Sequence, residues 1–152
     1  MTMNLVAVVN HWLHIMSVVI WVGGLAFVVM TLNPSLREKF PKESIKNIIQ
    51  GLQARYYRTT GILLTLILIT GGLNVHFVHE QLLPTGGFSR AWLLGLGVKL
   101  TLATGLISIY LLNLLYRGEP QEEGQTEIPW ARSSFLLGVL IILTAAFLKH
   151  AH

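Results

Sequence analysis

Four histidines fall into two pairs of equal spacing, His11 with His14 and His76 with His79. Residues i and i+3 share a helix face, so each pair is a two-toothed edge. Neutral imidazole is the commonest metal ligand and suits haem iron, copper and zinc. Two imidazoles that meet across a helical bundle can hold a haem iron from both axial sides. His150 and His152 stand near the C-terminal end, and Lys99 is the one Lys or Arg well inside an apolar stretch. There is no cysteine. That excludes disulfides, a Cys-ligated zinc, an iron–sulfur cluster and a covalently attached c-type haem. Copper remains a possible cargo, although soft Cu(I) sites draw on Met and Cys. The methionines are Met1, Met3, Met16 and Met30, and only Met16 lies near the histidines.

The elements that must position these groups belong in a bilayer. Of the 152 residues, 53% are hydrophobic and only 12% charged, with no aspartate at all. Soluble domains carry roughly 25% charge and could not bury so much apolar surface at this length. Four apolar segments emerge, at about 5–32, 59–79, 91–116 and 134–149. A helix needs ~20 residues to cross ~30 Å of hydrocarbon. Three segments meet that easily, and the fourth is marginal. The expected fold is all-α: one four-helix transmembrane bundle. The first span is too long for a cleavable signal and lacks a basic leader.

Charge placement orients the bundle. The connection 33–58 holds Arg37, Lys39, Lys42, Lys46, Arg55 and Arg58, and the connection 116–133 holds Arg117 and Arg132. The connection 80–90 holds only Arg90, and no Lys or Arg precedes the first span. Lys and Arg collect on the cytoplasmic side. The expectation is a multi-pass protein of the inner (cytoplasmic) membrane with both termini periplasmic. The net charge of +4 gives no reason to invoke nucleic acid. In the first connection Ile45, Ile48, Ile49, Leu52 and Tyr56 recur on one helix face. They predict an amphipathic cytoplasmic helix, either on the membrane surface or packed on its own bundle, and running towards the second span.

Ionisable groups inside spans are expensive and usually functional. Measured from the basic ends at ~1.5 Å per residue, His14, His76, Lys99 and His150 all fall at about 24–27 Å. His11 and His79 form a second level one turn further out. The predicted cofactor residues are therefore His14 and His76 as iron or copper ligands, with His11, His79, His150 and Lys99 around them. Lys99 either serves a haem propionate or proton transfer, or snorkels to the interface. Trp21 lies seven residues from His14 and on its face. Gly23-Gly24, Gly71-Gly72, Gly61, Gly95, Gly97, Gly105 and Gly138 either open a slot for a flat macrocycle or let helices touch.

These residues carry a family resemblance over roughly residues 11 to 117. His14-Ile-Met-Ser-Val-Val-Ile-Trp21-Val-Gly-Gly-Leu-Ala-Phe27 with Asn33-Pro34 resembles the first span of the copper resistance D (CopD) family. Arg58-Thr-Thr-Gly61 through Thr70-Gly71-Gly72-Leu73 resembles its second span, and Trp92 through Lys99-Leu100 to Asn113 its third. The His14, Trp21, Gly24-Leu25 and Lys99-Leu100 pattern is also similar to HemJ, a membrane protoporphyrinogen oxidase that binds haem b. That resemblance implies an essential histidine at His14 and an essential lysine at Lys99. The CopD resemblance implies copper transport or resistance.

The leading expectation is a b-type haem protein with bis-His ligation near the periplasmic side, moving electrons to a redox partner or a quinone. It would be a homo-oligomer or a subunit of a larger membrane complex, surrounded by lipid. Copper handling and a HemJ-like porphyrinogen oxidase are the alternatives, beside a purely structural bundle.

Overall fold

The computed structural model describes residues 5–82, 89–115 and 130–150. Every element among them is helical: α1 Leu5–Phe27, a π-helical turn Val28–Leu32, α2 Asn33–Lys39, α3 Lys42–Leu82, α4 Arg90–Leu115 and α5 Ala131–His150. Three rods are long and apolar enough to cross a membrane: Leu5–Lys39, Lys42–Glu80 and Arg90–Leu115. In α5 the apolar stretch is shorter, Ala131–Ala146. The rods have a histidine end, with His14 and His76, and a basic end, with Arg37, Lys39, Lys42 and Lys46.

The first rod does not stop where the apolar run does. Pro34 has no N–H for the carbonyl four residues back, and its ring crowds that carbonyl. The chain adapts with the π turn, in which Asn33 N–H reaches the Val28 carbonyl five residues back. The extra residue keeps one side of the rod in register. Asn10, Ser17, Trp21, Leu25, Val28, Asn33 and Leu36 are all buried, and the step from 28 to 33 is the only five among threes, fours and one seven. The Asn33 amide is buried with neither Nδ2 nor Oδ1 partnered among the described residues. The rod ends at Phe40, which is extended (φ −128°, ψ 145°) because the following Pro41 disfavours the helical region.

The amphipathic segment and the second span are one helix. At ~1.5 Å per residue, α3 is about 60 Å long, twice the hydrocarbon thickness. The start of α3 packs on α2. Ile45 and Ile49 are buried at 1% and 2% exposure beside Leu36. The stripe that faces inward is Ile45, Ile49, Gln53 and Tyr57, at a spacing of four, while Leu52 is exposed. Gln53 therefore lies in the seam.

α1 runs antiparallel along α3, α4 along α5, and α5 also touches α1 and the π turn. Three rings laid on glycines mark these crossings. A Cβ on Gly71 would stand 3.2 Å from His14 Cε1, one on Gly138 3.3 Å from Trp21 Cζ3, and one on Gly61 2.6 Å from the Tyr110 hydroxyl. Gly23, Gly24, Gly72, Gly97 and Gly105 face open space. Ser89 starts α4: its hydroxyl accepts the Trp92 N–H at 3.1 Å, as an N-cap does.

Candidate functional site: a histidine held by one nitrogen

Asn10 and His14 lie one turn apart on the side of α1 that meets α3. Asn10 Nδ2 donates to the Thr70 carbonyl and to Asn74 Oδ1, both at 2.9 Å. One turn along, His14 Nδ1 lies 2.9 Å from Thr70 Oγ1. Threonine has one hydroxyl proton. Thr70 spends it on the Leu66 carbonyl at 2.6 Å, the back-bond of a helical threonine. The Thr70 oxygen can then only accept from His14, so Nδ1 carries the ring proton. The Ile67 carbonyl, 3.4 Å from Thr70 Oγ1, is a second acceptor for the same hydroxyl proton. In the neutral ring this leaves Nε2 with its lone pair. Metal-ligating histidines are commonly fixed this way, with the far nitrogen tied to an acceptor.

Gly71 is what lets the ring sit here, since a side chain at that position would meet Cε1 and Nδ1 at 3.2 and 3.7 Å. Lys99 reaches the same level from α4. Tyr110 donates to the Tyr57 carbonyl at 3.1 Å and lies over Gly61, which sets the register of α4 against α3. Lys99 is eleven residues, or three turns, before Tyr110 and so on the same face. That puts it at about the level of Thr70, on α4. It is half-buried.

The other predicted residues are not drawn in. His11 and His79 are exposed. His76 is 61% exposed at its side chain, with Nε2 3.5 Å from Glu80 Oε1 on the next turn. It lies two residues past Asn74, about 200° round the helix, and so points away from α1. The expected facing pair of His14 and His76 is thus not formed within this chain. The two match in depth along the axis, but only Thr70 and Asn74 lie on the seam with α1. The His150 side chain and His152 lie outside the described residues. Trp21 is buried two turns from His14, against Gly138. Among the described residues no group of three His, Cys, Asp or Glu side chains could hold a metal ion.

Asn10, Thr70 and Asn74 were not singled out for a site in the sequence. The available signal was spacing: Asn10 is four residues before His14, and Asn74 four after Thr70. No family model, no curated protein and no solved structure matches this chain.

Proposed function

We propose that the protein is an integral membrane haem b protein in which His14 Nε2 ligates the iron at the histidine end of the bundle. The observation that carries this reading is the tethered ring, with Nδ1 engaged by Thr70 and Nε2 left with its lone pair. The donor set would offer one imidazole nitrogen, His14 Nε2, to the iron. When bound, haem supplies one-electron chemistry; the chain supplies the ligand, its orientation and the surrounding charge. Thr70 fixes the tautomer, Gly71 admits the ring and Lys99 places a cation at that level for a propionate. The distribution of Lys and Arg supports a bundle in the inner membrane with both termini periplasmic. Its short fourth helix would complete the crossing. A quinone or a redox subunit is the electron partner in this reading.

One observation favours a second reading. Lys99 is half-buried at about the depth of His14, and these are the two residues that the HemJ resemblance makes essential. In that reading the same site takes electrons and protons from a porphyrinogen, and the electrons pass to the quinone or redox subunit.

The test is the visible spectrum of the detergent-purified protein, expressed with haem precursors, before and after reduction. A b-type spectrum that is lost in His14→Ala supports the assignment. Purification without haem, or full haem in His14→Ala, overturns it. Porphyrinogen turnover that needs Lys99 selects the second reading.

A further inference from the structure

A second polar site lies between the helices, towards the basic end. A cavity of about 20 Å³ is walled by Trp21 of α1, Tyr56 and Thr60 of α3, Tyr110 and Asn113 of α4, and Ser134 of α5. Trp21 is seven residues beyond His14, about 10 Å along the axis, so this is not the histidine site. The Trp21 Nε1–H is fully buried and has no hydrogen-bond partner among the described residues. Buried polar groups are almost always satisfied, and a donor in an apolar bundle is costly to leave alone.

The wall has what this donor lacks. Tyr110 gives its hydroxyl proton to the Tyr57 carbonyl, so its oxygen is left to accept. Asn113 Nδ2 donates to the Ile109 carbonyl, which leaves Oδ1 as an acceptor. Thr60 and Ser134 add hydroxyls that donate or accept. A water needs about 10–15 Å³ and two to four polar partners. The volume admits such a molecule.

We propose that this cavity is a binding site for a single long-lived water, which accepts the Trp21 Nε1–H and links α1 to the polar side chains of the other three rods. The Trp21 ring is held for this by Gly138, which accepts its far edge.

The test is NMR of the full chain in detergent with ¹⁵N-labelled tryptophan, the Trp21 indole resonance being assigned by its loss in Trp21→Phe. The expected result is a cross-relaxation peak from Trp21 Nε1–H to water, with the sign of a bound molecule. The exposed Trp130 indole, just before α5, serves as the reference for freely exchanging solvent. A Trp21 Nε1–H that shows cross peaks only to side-chain or detergent protons overturns the proposal. Should Trp21→Phe fail to fold, Trp12→Phe, Trp92→Phe and Trp130→Phe assign the resonance by elimination.

Discussion

The first rod meets α3 along α1 and again at α2, and the two contacts are made differently. At the histidine end the seam is Asn10 and His14 against Thr70, Gly71 and Asn74, joined by three hydrogen bonds and one ring on a glycine. At the basic end it is Leu36 against Ile45 and Ile49, with no polar contact between these side chains. The difference follows from the solvent. Within lipid, apolar side chains gain little by meeting, so close approach and hydrogen bonds hold helices together. Half of α3 extends beyond the hydrocarbon, and there water drives Leu36, Ile45 and Ile49 together. One half of the rod pair is therefore free to carry chemistry while the other supplies stability.

The largest expected effect separates the halves at once. His14→Ala should lose nearly all bound haem, read as the ratio of Soret to protein absorbance, while the helical content measured by circular dichroism stays. Gly71→Val comes next. Its branched side chain would enter the space of Cε1, so the ring must leave Thr70, and most haem should be lost with His14 still present. Normal haem content in Gly71→Val would show that the glycine seat does not matter to the ligand.

The basic half should respond in the opposite manner. Ile49→Ala removes a side chain at 2% exposure and should cost about 2–4 kcal/mol. The readout is a lower thermal or denaturant midpoint, with haem per folded protein unchanged. Haem loss equal to that of Gly71→Val would mean that the two halves fold as one unit and cannot be assigned separate tasks. Thr70→Val is milder: it keeps the shape and removes the acceptor of Nδ1–H. Loss of such an outer partner typically weakens metal binding about ten- to a hundredfold. Titration with haem should show it, together with a shifted midpoint potential, whereas Thr70→Ser should restore both.

The same seam shows what could be read from the sequence. Depth along a rod can be counted, because residues per turn and rise per residue are constants. Azimuth cannot. His76 sits at the right height, but the face of α3 that meets α1 is set by Asn74 and Thr70, and no residue count from a span end reveals that. The boundary at residue 32 failed for a related reason. Asn33-Pro34 reads as a stop, yet a π turn absorbs the proline and carries the helix to Lys39. Ile45 and Ile49 were visible as an apolar stripe, but whether lipid or α2 covers them depends on that continuation.

The smallest expected effect is the most telling about the ligand set. His76→Ala should leave haem content and spectrum unchanged, because His76 faces away from α1 and its Nε2 lies beside Glu80. Glu80→Gln should be equally silent. If His76→Ala instead removes the haem as thoroughly as His14→Ala, a second imidazole must come from outside this rod pair. With the ring on the outer face of α3, only a neighbouring copy could then bring His14 and His76 to one iron. Cross-linking or native mass spectrometry of the haem-loaded protein would show that assembly, and a monomer that holds haem through both residues would break the geometry described here.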